Sequence, residues 1–252
     1  MFDELAAWIP QCGADVLCLQ EVTRTPGLGG QTEFSDGERT LPQRANLFDD
    51  VRRLLPDHQA TFLASDAGPV TGEDGSVHRQ DFGLAVFVTE TIPVVAHQSS
   101  FVHGSFVDHV EWAIEDRPRI AQAVRLVDRR ARRTVTVVHT HGLRDPGGKG
   151  DNPARTAQAE RLTELTASTR EASDLVVVCG DLNLLPDSET FAILGSIGLT
   201  DLVRERDTRT SSYPKPLRHA NYLLVSDVDA VVAFDAPATP EVSDHRALIL
   251  DI

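Results

Sequence analysis

Residues 175–183 read LVVVCGDLN: five apolar positions, Leu175 to Cys179, followed at once by Gly180-Asp181-Leu182-Asn183. A continuous apolar run of this length reads as a strand covered on both faces, as in the middle of an α/β sheet. Polar residues that follow such a strand directly are held at its end, where α/β folds build their sites. The pattern recurs outward in both directions. DVLCL (15–19) runs into Gln20-Glu21, TVTVV (134–138) runs into His139-Thr140-His141, and Ser243-Asp244-His245 leads into the closing stretch ALILDI (247–252).

Between these runs, short β-rich segments alternate with a few helical ones. Strands are expected at 60–64, 82–88, 92–95, 120–127, 135–139, 222–225, 230–234 and 247–252, and helices at 2–9, 47–55 and 153–168. Asn152 followed by Pro153 is a helix-start signal, and Asp187 or Ser188 can cap a short helix at 189–194. Gly-, Pro- and polar-rich stretches at 23–40, 65–80, 99–117, 145–152 and 207–215 are expected as loops. Many strands with few helices imply sheet packed on sheet with helices outside, an α/β (α+β) four-layer sandwich. No repeat or internal boundary stands out, so residues 1–252 are expected to form a single domain.

The bulk numbers narrow the partners. A formal net charge of -14 repels polyanions, which ranks a small phosphoester ahead of nucleic acid as substrate. It leaves room for one phosphate in a local pocket, especially beside a divalent cation. The three cysteines, Cys12, Cys18 and Cys179, are too widely spaced for a C-x-x-C pattern and suit a reducing cytoplasm. No apolar run approaches the roughly 20 residues of a membrane span, and the N-terminal stretch lacks the basic and apolar regions of a signal peptide. Nothing in the sequence sets an oligomeric state.

Each polar cluster has a bland reading: a solvated Glu, an Asx-turn, a structural pair of histidines, a loop. Their order argues otherwise. Leu19-Gln20-Glu21, Thr140-His141, Gly180-Asp181-x-Asn183 and Ser243-Asp244-His245, in this sequence, resemble the signature of the endonuclease/exonuclease/phosphatase (DNase I-like) superfamily. Weaker marks agree: Arg155-x-x-Gln158-x-x-x-Leu162, Gly83-x-Ala85-x-Phe87, and Asn221-Tyr222-Leu223-Leu224-Val225-Ser226. The resemblance covers about residues 13–252. It implies two packed mixed sheets flanked by helices, Mg²⁺ or Mn²⁺, and attack of water on phosphorus. On that pattern Glu21 is a metal ligand, with Asp244 as a metal-side or orienting carboxylate. Asp181 orients or deprotonates the water, Asn183 donates to a phosphate oxygen or positions the water, and His245 donates to the phosphoryl oxygens or moves a proton. His141 contacts phosphate and aids the leaving group. Arg119 and His139 are expected to bind substrate.

Two departures bear on activity. The family normally begins with a strand ending in Asn, whereas this sequence opens inside the helix that follows. The expectation is that about 15 to 20 residues are missing, from typical helix and strand lengths. Asn221 stands where the family has an Asp facing the S-D-H histidine; an amide can accept its hydrogen bond but supplies no negative charge. Together they motivate an alternative reading, a catalytically impaired phosphoester-binding module on the same fold. A zinc hydrolase built on His139-x-His141 fits less well, because the further ligands of such sites are not found. Substrate choice is expected to lie in the loops, where Phe106 and Trp112 are the candidates for stacking on a base.

Overall fold

The computed structural model describes every residue except Met1, Ile114, Asp116 and Leu217. Two positions of the expected loop 99–117 therefore lie outside the described residues. In chain order the elements are α1 (Phe2–Cys12), β1 (Val16–Arg24), β2 (Gln31–Ser35), β3 (Thr40–Arg44), α2 (Leu47–Leu54), β4 (His58–Gly72), β5 (Val77–Thr89), β6 (Val94–His103), β7 (Val107–Asp108), β8 (Arg119–Asp128), β9 (Arg133–His141), α3 (Pro153–Thr169), β10 (Leu175–Asp181), α4 (Glu189–Gly195), β11 (Thr200–Asp201), β12 (Asn221–Val225), a 3-10 turn (Val228–Ala230), β13 (Ala233–Asp235) and β14 (Ile249–Asp251).

One six-stranded sheet runs β1-β5-β4-β2-β3, with β7 beside β4, and a second runs β11-β12-β10-β9-β8-β6. The second is mixed. β9 and β10 are parallel, as a helical crossover through α3 requires, and the rest of its pairs are antiparallel. Alternation along β5 assigns the layers. Val86 and Val88 pack with Val137, Val177 and Leu223 between the sheets, while Ala85 and Phe87 pack on Ile9 of α1 and Phe48 and Val51 of α2. Leu162 and Leu165 of α3 and Leu194 of α4 cover the other sheet. The order of layers is helices, sheet, sheet, helices, the sandwich expected from the sequence.

Caps form where the side chains allow them. The Asn152 side chain accepts from the Arg155 amide at 2.9 Å with Pro153 opening the helix, and Ser188 accepts from Thr190 at 3.2 Å to start α4. Three expected loops are instead partly strand. β2 pairs with β3 inside 23–44, the β4–β5 hairpin continues through 65–80 with Asp66 opposite Phe82 and Thr71 opposite Val77, and β6 runs into 99–103. A ribbon that leaves the body of a sheet is stabilised by its ladder and needs no apolar alternation, so composition misleads there. Trp112 is 4% exposed, its indole laid on Gly68 and donating to the Pro69 carbonyl at 2.7 Å. It is therefore core rather than a base-stacking ring; Phe106 remains half exposed.

Gly180 closes the join between β9 and β10. Its φ is +141°, and a Cβ there would lie 1.8 Å from the Thr140 carbonyl oxygen. The strand cannot withdraw without breaking its ladder, so Gly180→Ala is expected to cost about 2–4 kcal/mol, within the range of strained-backbone and overpacking lesions. Urea unfolding measures this, and an unchanged midpoint would refute the close approach.

Candidate functional site

Three strands deliver the centre of the site in one row. Across the second sheet Asp181 of β10 stands opposite His141 of β9 and opposite Asn221 of β12. Directly opposed residues share a face, so the three side chains emerge together at the end of the sheet. The Asp181 carboxylate is almost fully buried. Its Oδ1 accepts from the Asn183 amide at 2.8 Å, and its Oδ2 lies 3.5 Å from His245 Nε2 and 3.9 Å from His141 Nε2. Burial opposes its charge, but His245, His141, Lys149 and Arg209 around it hold the carboxyl below its ordinary range, so it is an anion at neutral pH.

Two backbone irregularities aim the neighbours. The β1–β5 register breaks between Leu19 and Val22, a bulge at Gln20-Glu21, and Glu21 sits at φ +54°. Asn183, just beyond β10, sits at φ +55°, with its Nδ2 3.4 Å from His141 Nε2. Left-handed non-glycine residues cost free energy and collect at functional sites, and two of the four such residues in the described chain are candidates read from the sequence.

Asn221 and His245 meet as expected. Asn221 Nδ2 donates to the Arg246 carbonyl at 3.2 Å, so its Oδ1 accepts from His245 Nδ1–H at 2.6 Å. This assigns the Nδ1–H tautomer and leaves His245 Nε2 as an acceptor. Arg209 Nη1 occupies that acceptor and also donates to Asp244 Oδ2 at 2.7 Å. Asp244 is thus held by a guanidinium, and no group of three or more His, Cys, Asp or Glu side chains is placed to cage a metal ion among the described residues. Glu21 is exposed at its bulge with Arg119 as its charged neighbour, and Asp244, expected as a metal-side or orienting carboxylate, is half exposed and paired with Arg209.

Arg119 opens β8 and is buried, lining a small cavity with Ser65, Gly83 and His141. Its Nε has no acceptor among the described residues, and burial pushes the guanidinium down to about 10, against the pull of Glu21, Asp66 and Asp181. The neighbouring Arg117 is locked on Asp66 at 2.7 and 3.1 Å and sandwiched by Phe82 and Trp112. That lock fixes the chain leading into Arg119. His141 is held well below its usual range by burial and by Arg119, so it is neutral.

His139 takes a different place from the one expected. It is 1% exposed, its Nε2 is 2.6 Å from Gln20 Nε2, and its Nδ1 is 3.4 Å from Gln122 Nε2. Both nitrogens are engaged between the sheets, so it ties β1 to β9 behind the site and cannot touch substrate. Burial pushes it down to about 3. Sequence reasoning also missed Arg209 and Lys149. Both lie in stretches flagged only as loops, and only the fold brings them to Asp181.

The family model described as Endonuclease/Exonuclease/phosphatase family matches residues 2–245. The chain belongs to this family. Solved structures share its fold at low identity. A mannosyl-6-phosphatase of Bacteroides thetaiotaomicron aligns with a TM-score of 0.63 and 15% identity over 98% of this chain and 88% of its own. The human Nocturnin catalytic domain with bound sulfate gives 0.62 and 20% over 98% and 83%. TDP2 of D. rerio complexed with single-strand DNA product gives 0.59 and 13% over 98% and 88%. No curated protein matches the sequence. No helix among the described residues is long and apolar enough to cross a membrane.

The neutral His139 has a consequence for stability. Its folded pKa lies near 3 and an unfolded histidine titrates near 6.5, so between these values the unfolded chain binds the extra proton. Its share of stability is complete above about pH 6.5 and falls by up to about 1.4 kcal/mol per unit as pH drops to about 3. His139→Gln is expected to flatten the stability–pH curve in that window. Parallel curves for the two proteins would show that the imidazole is not held neutral.

Proposed function

We propose that the protein hydrolyses a small phosphoester by attack of water on phosphorus, with Asp181 orienting and deprotonating the water. The observation that carries this reading is the row His141–Asp181–Asn221, with a buried, ionised carboxylate at its centre and His245 and Asn183 converging on it. A carboxylate that stays ionised while surrounded by donors can take a proton from a bound water as the phosphorus–oxygen bond forms. Membership of the family supports the reaction class, and the structural neighbours include a phosphatase, a sulfate complex and a DNA-product complex.

The residues divide the work. Arg119, with an unsatisfied Nε beside Asp181 and His141, binds the phosphate as a permanent cation. Asn183 Nδ2 donates to a phosphate oxygen or holds the water. The neutral His141 donates to the leaving oxygen from the same row. His245, held in one tautomer by Asn221, steadies Arg209 and Asp244 at the opposite side. Glu21 fits a hard divalent ion, Mg²⁺ or Mn²⁺, in the way such ions are often held, by one or two carboxylates with water and phosphate oxygens completing the shell. Such an ion, when bound, polarises the phosphoryl oxygen and offsets charge in the transition state. The net charge of -14 supports a small substrate over a polyanion, and we place the protein in the cytoplasm on its cysteine usage.

Hydrolysis of a panel of sugar phosphates, nucleotides and phosphodiesters tests this. Turnover is expected with Mg²⁺, none with chelator, and a drop in kcat of about 10² to 10⁴ in Asp181→Asn, the usual worth of a general base. Folded protein that binds phosphoesters without turning them over would instead establish the binding-module alternative. Asn221→Asp places a negative charge against His245 and is expected to shift the acid limb of the kcat–pH profile. An unchanged limb would show that position 221 does not tune the site.

A further inference from the structure

The chain contains two lysines, Lys149 and Lys215, against many arginines, and Lys149 borders Asp181. Lys149 stands on a built pedestal. The carbonyls on either side of it, Gly148 at 2.7 Å and Gly150, both accept from the guanidinium of Arg155, which is 1% exposed. Asp151, two residues on, accepts from Ser188 at 2.5 Å and from the Glu189 amide at 2.9 Å, tying the loop to the start of α4. Asp145 closes the other end, accepting from the Gly147 amide and from Asn152 at 2.7 Å each. A Gly-Lys-Gly tip anchored on both sides leaves the lysine one direction to point. Its Nζ donates to the carbonyl of His219, two residues before the Asn221 that stands opposite Asp181. An ammonium has three N–H groups, so two remain for a ligand.

Arg209 reaches the same side. Its backbone lies antiparallel to His245, pinned by Thr210 N to Asp244 O at 3.1 Å and by Arg246 N to Thr208 O at 2.9 Å. The guanidinium is stacked 4.0 Å from the Tyr213 ring centroid and is 6% exposed, and its Nε has no acceptor among the described residues. A buried donor without a partner costs free energy unless something fills it.

Strand order separates these cations from Arg119. From Asp181 at the end of β10, Arg119 lies two strands away on the β9–β8 side, whereas Lys149 and Arg209 lie on the β12 side. One phosphate over Asp181 is served by Arg119; a second pair of cations on the far side, in a chain of net charge -14, has no structural counter-ion beyond Asp244 and Asp181. We propose that Lys149 and Arg209 form a second anion subsite, and that the substrate is a small phosphoester carrying a second phosphate or comparable anionic group on the same molecule. Burial pushes the Lys149 ammonium down to about 8, the mark of a cation kept partly dry beside the reaction centre. The proposal rests on the phosphoester reading above, but its test does not need turnover.

Calorimetry on the Asp181→Asn protein with Mg²⁺ compares two pairs of probes: glucose 6-phosphate against glucose 1,6-bisphosphate, and AMP against adenosine 3′,5′-bisphosphate. In at least one pair the bisphosphate is expected to bind about ten- to a hundredfold tighter, the worth of one or two charge-assisted contacts. Lys149→Met and Arg209→Met should reduce that ratio toward one, while Lys149→Arg retains most of it. The native protein supplies a measurement that needs no variant, the same preference read as a ratio of KM values or of inhibition constants. Equal affinity within both pairs would overturn the subsite. So would a loss in Lys149→Met that is the same for mono- and bisphosphates, because the cations would then serve the scissile phosphate. A bisphosphate preference in a native protein that hydrolyses nothing would sink the hydrolase reading and leave the subsite standing.

Discussion

The parallel pairing of β9 with β10 is the constraint on which the site depends. Gly180 allows the two backbones to close where any side chain would strike the Thr140 carbonyl, and that register sets His141 beside Asp181. The antiparallel pairing on the other edge of β10 then brings Asn221 into the same row. Nothing in the chemistry of a carboxylate, an imidazole and an amide joins residues so far apart in sequence. Ladder hydrogen bonds do, and they do so only in one register, since a slip of one residue would turn each side chain to the opposite face. At the far end of the same strands, Asp174 takes hydrogen bonds from Arg125, Thr134 and Thr136, which outweigh its burial and hold it well below the carboxylate range. The strands are thus tied at both ends.

Around this row the protein manages charge by burial and pairing. Burial keeps His139 and His141 neutral, Asp181 stays ionised because cations and donors surround it, and Arg119 and Arg209 each have a donor left over. In a low-dielectric setting each of these choices is worth more than it would be on the surface. The Asn221–His245–Arg209 chain shows the logic in small. A neutral amide fixes the imidazole tautomer, the imidazole presents its lone pair, and a permanent cation fills it.

The loops are as organised as the strands. Arg155 and Gln158, on the first turns of α3, reach back to the segment after β9: Gln158 Oε1 accepts from the Leu143 amide at 2.9 Å, and Arg155 gathers the carbonyls around Lys149. A helix read from its start signal therefore also shapes the loop that carries Lys149. The arrangement gives physical content to the Arg-x-x-Gln spacing, because two residues three apart share one face of a helix.

The four-layer sandwich, the principal strands, the caps of α3 and α4, and the candidates Glu21, His141, Asp181, Asn183, Asn221, Asp244 and His245 were legible in the sequence. They were legible because apolar runs that end abruptly in polar residues report local geometry, and local geometry is encoded by neighbours in the chain. The ribbon formed by the outer parts of β4 and β5 was not legible, since a solvent-flanked ladder leaves no hydrophobic period to read. Burial was not legible either. His139 shares the strand face of His141 yet ends between the sheets with both nitrogens taken, and Trp112 ends as core over Gly68. Nor could the sequence show that Arg209 pairs with Asp244, or that Lys149 is aimed by a buried arginine. Those facts depend on which distant segments pack together, and only the tertiary fold decides what surrounds a charge and therefore what it can do.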